Sequence, residues 1–294
     1  MKSITKKYRP TKRYFLPEPS RWPLIGSLGL FFSLIGAINI IHGNWYGHYF
    51  FMGGAFLLAY MMFGWFSTVI DESMQGLHSQ QMDRTYRWGM MWFIVSEVAF
   101  FAAFFGALFY ARAFIVPLLG GKNETHTLLW PQFQALWPLI KNPNPTLFPG
   151  PKEVIPTWGI PALNTLLLLT SAGFITWAHW GLKKNRRRQL NIGILITMIL
   201  GIVFLACQAY EYTEAYTVFN LTLRSGIYGS TFFMLTGFHA AHVTLGLIML
   251  SVILYRCLKG HFQPEHHFGF EAVSWYWHFV DVVWLFLFIF VYWF

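Results

Sequence analysis

The stretch IYGSTFFMLTGFHAAHVTLGLIMLSVILY, residues 227–255, contains no Asp, Glu, Lys or Arg. A membrane-spanning helix needs about 20 consecutive, mainly apolar residues, so this stretch predicts a transmembrane helix. The apolar run is continuous rather than alternating, which excludes a transmembrane β-strand. Six other runs have the same character, and together they predict an all-α polytopic membrane protein with seven transmembrane helices, at 22–41, 49–70, 88–113, 159–181, 190–212, 227–255 and 271–293.

The composition of the whole chain agrees with this prediction. The sequence of 294 residues is 55% hydrophobic and only 11% charged, whereas soluble domains carry about 25% charged residues. The formal net charge of +9 suits nucleic acid as well as anionic membranes, but no nucleic-acid-binding motif accompanies it. We therefore expect a membrane domain over 22–294 and no nucleic acid partner.

The Lys and Arg residues are distributed unevenly about the predicted spans. Sixteen flank the spans on the side of the N-terminal tail, residues 1–21, and four lie on the opposite side. Because cytoplasmic loops carry an excess of Lys and Arg, we expect a cytoplasmic basic tail, a cytoplasmic N-terminus and an external C-terminus. The loop 114–158 is then external, and its eight prolines predict a largely irregular segment.

Glu97 is an ionisable residue in the interior of the third predicted span. It lies about 13–14 Å into that span at 1.5 Å per residue, and its neighbours on the same helix face are apolar. A carboxyl group at this depth is expected to be protonated or to be bound by a polar group of another helix. Three roles are open: an interhelical hydrogen bond, a contact to lipid or to a structural polar cluster, and a proton relay.

Four further polar residues are predicted to lie within the membrane: His239, His242, His278 and Asp281. They form two pairs, His239 with His242 and His278 with Asp281. The two residues of each pair are three positions apart and share a helix face, as two metal or haem ligands would. A bound metal would need three or four ligands with supporting contacts. Hydrogen bonding between helices needs less, and Gly237 favours close helix approach there. We therefore expect an intramembrane polar cluster and no metal site.

Charged residues also occur near two predicted span ends. Glu211 and Glu214 lie near the outer end of the fifth span, where interfacial water is available, so we expect interface or partner contacts rather than paired catalytic carboxylates. Arg256, Lys259 and His261 follow the sixth span at its predicted cytoplasmic end. This basic cluster suits a phosphate head group and equally suits snorkelling anchors.

Long strings of the sequence resemble cytochrome c oxidase subunit III, and they occur in the order found in that family. They are WGMMWFIVSEVAFF (88–101), WGIPALNTLLLLTSAGFITWAHW (158–180), QAYEYTEA (208–215), GIYGSTFFMLTGFHAAHVTLG (226–246) and HHFGFEAVSWYWHFVDVVWLFLF (266–288). The resemblance covers residues 22–294, and seven spans are typical of the family. The third subunit of related quinol oxidases usually has five spans, which makes that alternative the less favoured one.

The resemblance implies a non-redox core subunit of a proton-pumping cytochrome c oxidase, without a cofactor or a catalytic residue of its own. Haem and copper are then held in partner subunits, and cytochrome c is the electron donor to the complex. The family arranges its helices as a V of two and five, with structural phospholipids in the cleft. It packs mainly against the catalytic subunit I, also contacts subunit II, and supports proton uptake and sustained oxygen reduction. The implied location is the bacterial inner (plasma) membrane, with the mitochondrial inner membrane less favoured.

Matching strings carry the family's lipid-binding residues onto this sequence. The implied set is Trp65, His78, Glu97, Arg256, Lys259 and His261. Asp71 stands where some relatives have a basic contact to the head group, so the exact lipid ligands are open. The loop 114–158 is longer than in mitochondrial relatives and has no inherited role.

A membrane metalloenzyme and a transporter are the two alternatives to this family. A free-standing membrane metalloenzyme would use His239, His242, His278 and Asp281 as metal ligands, and a transporter would use Glu97 as a coupling acid. Transporters tend to contain helices that are broken at the membrane midplane, whereas these spans contain almost no internal proline. Metal analysis of the chain separates the metalloenzyme from the oxidase subunit.

Overall fold

The computed structural model describes residues 19–121 and 124–293. Most of the predicted basic tail (1–18) lies outside the described residues, as do 122–123 and Phe294. Seven helices in the described part are long and apolar enough to cross a membrane: Trp22–Ile41, Gly47–Met74, Gln80–Gly120, Ile160–Lys183, Arg187–Thr217, Ile227–Leu258 and Phe268–Trp293. The prediction of an all-α protein with seven spans is confirmed, and the described residues form no strand beyond an isolated bridge between Gln263 and His266.

The α-helices of the described residues are numbered in chain order. They are α1 Trp22–Ile41, α2 Gly47–Met74, α3 Gln80–Tyr110, α4 Val116–Gly120, α5 Glu124–Leu129, α6 Ile160–Lys183, α7 Arg187–Thr217, α8 Ile227–Leu258 and α9 Phe268–Leu287. Two π-helical segments extend them: Ala111–Ile115 joins α3 to α4, and Phe288–Trp293 continues α9.

Several helices are longer than the apolar runs that predicted them. α3 begins at Gln80, within a polar segment where Arg87 Nε donates to Asp83 Oδ2 at 2.8 Å. Such a pair four residues apart stabilises a helix in water, so α3 continues beyond the apolar run. α7 likewise extends to Thr217. Hydropathy marks the segment that crosses the hydrocarbon, whereas backbone hydrogen bonding continues past it.

The chain divides into two compact units, residues up to Trp88 and residues from Gly89 onward, and the division falls within α3. In the first unit α1 packs against α2 through glycines. A Cβ atom at Gly36 would collide with the backbone of Phe51, and one at Gly54 with the backbone of Ser33. Small residues therefore allow these two helices to approach closely. The V-shaped arrangement implied by the resemblance stays a prediction.

The core of the second unit is centred on α9. Trp277 of α9 is fully buried, and its indole N–H donates to Ser171 Oγ of α6 at 2.9 Å. Gly201 of α7 and Gly246 of α8 both lie against the Trp277 ring. One aromatic side chain thus joins four helices, and its buried N–H has an acceptor, as a polar group in a membrane interior requires.

The segment 124–158 contains α5 but is mostly irregular. It packs on the α7–α8 connection, where Lys152 N donates to Phe219 O at 2.8 Å and Asn142 Nδ2 donates to Ser225 O at 3.1 Å. Thr157 Oγ1 also donates to Tyr292 O at 2.5 Å. These contacts hold the segment over the ends of α7, α8 and the C-terminal π-helix.

Candidate functional site

Glu97 of α3 and His242 of α8 form an interhelical pair within the second unit. Glu97 Oε2 lies 2.8 Å from His242 Nε2, and the two side chains are 22% and 12% exposed. Aromatic rings surround the imidazole, with ring centroids 5.0 Å away for Phe101 and 6.4 Å away for Tyr276. Glu97 is therefore bound by a polar group of another helix, which was one of the two outcomes expected from the sequence.

The second nitrogen of His242 fixes the protonation pattern of this pair. His242 Nδ1 lies 2.7 Å from the carbonyl oxygen of Phe238, and a carbonyl oxygen only accepts, so Nδ1 carries a proton. The 2.8 Å contact between Nε2 and Glu97 Oε2 then contains one further proton. That proton lies on the carboxyl in a neutral pair or on the imidazole in an ion pair. Either way the pair holds one shared proton and has no net charge.

The other predicted intramembrane residues lie in separate environments. His239 is 1% exposed, and its Nε2 donates to Val280 O of α9 at 3.1 Å. His278 contacts Thr176 Oγ1 through Nε2 at 3.3 Å and has Nδ1 3.9 Å from Asp281 Oδ2. Hydrogen bonds therefore join His239 to α9 and His278 to α6. Within the described residues, no hydrogen bond or ion pair links His239 or His242 to His278 or Asp281.

Only one group of three metal-ligating side chains comes together in residues 19–121 and 124–293, and sequence reasoning missed it. It consists of His179, His267 and Glu271. The metalloenzyme alternative, which relied on His239, His242, His278 and Asp281, therefore has no geometric support. The spacing of His267 and Glu271, four residues apart, was visible in the sequence. Their proximity to His179 of α6 depends on tertiary packing.

The expectation for Glu211 was wrong. Glu211 is not solvated at an interface: it is fully buried, and its Oε1 accepts from Tyr292 Oη at 2.6 Å and from Gln208 Nε2 at 3.0 Å. The reason is that α7 extends to Thr217 and the C-terminal π-helix covers this end of it. Glu214, one turn further along, is only partly buried.

The predicted basic cluster is organised around Phe262, in the connection between α8 and α9. The Arg256 guanidinium lies over the Phe262 ring, 4.4 Å from its centroid, and Arg187 Nη2 donates to Phe262 O at 2.7 Å. Arg256 Nε and Arg187 Nη1 are buried and have no hydrogen-bond partner among the described residues. In the sequence, Arg187 is one of the sixteen Lys and Arg residues that predict the topology.

The two remaining members of the basic cluster differ in exposure. Lys259 is exposed, with its ammonium 5.6 Å from the Tyr255 ring. Burial lowers the pKa of His261, and the positive charges of Arg256 and Lys259 lower it further. His261 is therefore neutral at pH 7, and an anion bound among these groups would offset the repulsion that opposes its protonation.

Two residues of the implied lipid-binding set lie in the first unit. Trp65 is half exposed and stacks on Phe66, with centroids 6.2 Å apart. His78 Nε2 lies 3.6 Å from Glu72 Oε2, and its ring packs edge-on against Tyr86 at 5.2 Å. The implied set is thus distributed over both units: Trp65 and His78 in the first, and Glu97, Arg256, Lys259 and His261 in the second.

Seven apolar helices with buried polar groups paired between them define a polytopic helical membrane protein. Comparison with known proteins then identifies its family. The family described as cytochrome c oxidase subunit III matches residues 12–294. The chain is 42% identical over 281 residues to cytochrome c oxidase subunit 3 of Marchantia polymorpha, covering 95% of this chain and 96% of the relative. The chain belongs to the cytochrome c oxidase subunit III family, as its sequence resemblance implied.

Other relatives with the same name come from distant organisms. The subunit 3 of Pongo abelii is 43% identical over 281 residues, and that of Arabidopsis thaliana is 39% identical over 288 residues. In both cases the match covers 95% of this chain and 96% of the relative. The similarity therefore extends over nearly the full length of each chain.

Proposed function

We propose that this chain is a non-redox core subunit of a proton-pumping cytochrome c oxidase, in which it binds phospholipid and sustains turnover. It packs on the catalytic subunit I and contacts subunit II, which hold the haem and copper, and the complex takes electrons from cytochrome c. Membership of the subunit III family supports this assignment. Its own chemistry is to bind an anionic head group and to hold a proton within the membrane.

The observation that carries the lipid-binding proposal is the pair of guanidinium groups at Phe262. Buried polar N–H groups almost always have an acceptor, yet Arg256 Nε and Arg187 Nη1 have none among the described residues. A phosphate oxygen is the acceptor that guanidinium groups bind best. Exposed Lys259 and neutral His261 border the same position, so the cluster suits a phospholipid head group at the membrane surface.

Replacing Arg256 and Lys259 together by alanine is expected to deplete bound phospholipid from the purified oxidase. The charge-assisted hydrogen bond of Arg256 contributes about 1.5 kcal/mol or more, and an exposed basic side chain contributes about 1 kcal/mol. The sum of these two contributions corresponds to phospholipid binding that is at least about 50-fold weaker. The measurement is lipid phosphorus and lipid mass spectrometry per complex, with the haem spectrum as a check that the redox centres are intact.

The matched control removes equal charge elsewhere. Lys183 and Lys184 are exposed at the end of α6, and the double change Lys183→Ala with Lys184→Ala should leave the lipid content unchanged. A lipid content that is unchanged in both double variants would reject the head-group site. Equal depletion would show that general surface charge, rather than the Phe262 cluster, retains the lipid.

The proposed location is the bacterial inner membrane, with the N-terminus in the cytoplasm and the C-terminus outside. The excess of Lys and Arg on one side of the spans supports this orientation. Lys141, in the Pro-rich segment, and Lys184, after α6, are both exposed. They lie beyond opposite ends of α6, whose 24 residues span about 36 Å.

Single cysteines at Lys141 and Lys184 are therefore expected to react with impermeant thiol reagents from opposite faces. The background carries Cys207→Ala and Cys257→Ala, and without an introduced cysteine it should not be labelled. We expect Lys141→Cys to react in intact spheroplasts and Lys184→Cys only in inverted vesicles. The reverse pattern would invert the orientation, and labelling of both from one face would contradict the membrane crossing of α6.

A further inference from the structure

His179, His267 and Glu271 form a compact triangle at one end of the second unit. His179 lies in the last turns of α6, His267 directly precedes α9, and Glu271 lies in the first turn of α9. His179 Nε2 is 3.2 Å from His267 Nε2 and 3.4 Å from Glu271 Oε1. His267 Nε2 is 3.2 Å from the same carboxylate oxygen. Three ligand atoms are therefore mutually equidistant to within 0.2 Å.

Hydrogen bonding alone does not account for this triangle when Glu271 is ionised. If both Nε2 atoms carry protons, the two N–H groups oppose each other across the contact between the imidazoles. If only one carries a proton, the other nitrogen directs its lone pair at the carboxylate oxygen. Each assignment leaves at least one of the three short contacts unfavourable, whereas a cation at the centre would be attracted to all three atoms.

The dimensions of the triangle match those of a zinc site. Zn²⁺ binds histidine nitrogen and carboxylate oxygen at about 2.0–2.2 Å with tetrahedral geometry, which places neighbouring ligand atoms about 3.3 Å apart. The observed separations are 3.2–3.4 Å. The side chains of His267 and Glu271 are 8% and 11% exposed, and that of His179 is 19% exposed. The protein thus supplies three of the four ligands of a tetrahedral site, and all three side chains are largely buried.

We propose that His179, His267 and Glu271 bind one divalent transition-metal ion of the Zn²⁺ type, which fastens the end of α6 to the start of α9. Two imidazoles and one carboxylate suit Zn²⁺ better than Mg²⁺ or Ca²⁺, which prefer oxygen ligands. The sequence led us to expect no metal in this chain, because the residues that form the triangle are distant in sequence. The proposal goes beyond lipid binding and uses none of the head-group residues.

The test measures zinc bound by the purified oxidase complex after dialysis against a chelator and titration with Zn²⁺. His179→Gln and Glu271→Gln each remove one ligand, and His266→Gln is the matched control, since His266 is an exposed neighbouring histidine. We expect the unmodified and control complexes to bind one zinc more than the ligand variants, whose affinity at this site should fall at least about 10-fold. Equal zinc content in all four complexes would overturn the proposal.

A second measurement keeps the test decisive if the ligand variants fail to assemble. Co²⁺ replaces Zn²⁺ in tetrahedral sites and absorbs visible light there. The unmodified complex loaded with Co²⁺ is expected to gain an absorption band that excess Zn²⁺ removes, and zinc-edge X-ray absorption should show only nitrogen and oxygen ligands near 2.0 Å. Absence of both signals would mean that the three side chains bind no metal.

Discussion

Replacing Glu97 by alanine is expected to shorten the working life of the oxidase, whereas replacing it by glutamine should preserve assembly and most of the sustained activity. Alanine leaves His242 Nε2, now 2.8 Å from Glu97 Oε2, without a partner inside the membrane. A glutamine amide can donate to the same nitrogen, because the proton on Nδ1 makes Nε2 an acceptor. The measurement is the number of turnovers completed before inactivation, together with bound phospholipid.

The control for this prediction is Ser96→Ala on the same helix. Ser96 Oγ donates to Phe93 O of its own helix at 2.6 Å, so its loss should change neither lifetime nor lipid content. A Glu97→Gln enzyme as impaired as Glu97→Ala would contradict the hydrogen-bonding role. It would show that the shared proton itself matters and would favour the proton-relay interpretation.

The free energy of the Glu97–His242 contact separates the neutral pair from the ion pair. Interhelical hydrogen bonds between polar side chains in membranes contribute about 0.6 kcal/mol on average and up to about 1.7 kcal/mol. Double-mutant cycles on close charge pairs give coupling free energies of about 1.5–7 kcal/mol. Because charge separation is costly at this depth, we expect the coupling free energy between Glu97→Ala and His242→Ala to lie in the lower range. A larger value would place the proton on the imidazole.

The sequence predicted that Glu97 needed a polar partner if ionised, but it did not predict which one. α8 offers two histidines three residues apart, and three residues rotate by about 300° around a helix, so the two side chains point in directions about 60° apart. His239 consequently reaches Val280 O of α9, while His242 reaches α3. Helix rotation is determined by packing between helices, and the hydropathy pattern of α8 does not fix it.

The seven spans were predictable because each requires only a continuous apolar run. The environment at the outer end of α7 was not predictable, because it depends on residues far away in the chain. Glu211 looked solvated from local hydropathy, yet Tyr292 from the C-terminus covers it and donates to it at 2.6 Å. The zinc triangle likewise joins His179 to His267 across 88 residues. In each case the missing information was tertiary contact.

Gly237, the glycine that the sequence singles out beside the intramembrane histidines, is not a site of close packing. Gly237 was expected to allow close helix approach, but a Cβ atom there would meet only Tyr212 Oη at an ordinary 3.5 Å. Two other glycines, Gly201 of α7 and Gly246 of α8, pack closely against Trp277. A Cβ atom at Gly201 would be 2.7 Å from Trp277 Cη2, and one at Gly246 would be 2.9 Å from Trp277 Cε3.

Gly201→Ala and Gly246→Ala are therefore expected to destabilise the second unit by about 1–3 kcal/mol each, because a fully buried indole cannot move away without strain. Gly173→Ala on α6 is the matched control: its Cβ atom would meet nothing within 4 Å, so the change should be neutral or should stabilise the helix by up to about 1 kcal/mol. The measurement is the temperature at which this chain unfolds or dissociates in the purified complex.

The combination with Trp277→Phe tests the cause of this destabilisation. The smaller phenylalanine ring leaves room for the added methyl group, so Gly246→Ala should cost less in the Trp277→Phe background than in the unmodified chain. Non-additivity of this kind is expected for side chains in contact, whereas distant and independent sites are additive. Strictly additive costs would mean that Gly246 acts through the backbone of α8, and that close packing around Trp277 does not limit stability. If Gly246→Ala instead costs less in the Trp277→Phe background, the Trp277 ring is the element that holds α7 and α8 against α9. α8 is also the helix that carries His242.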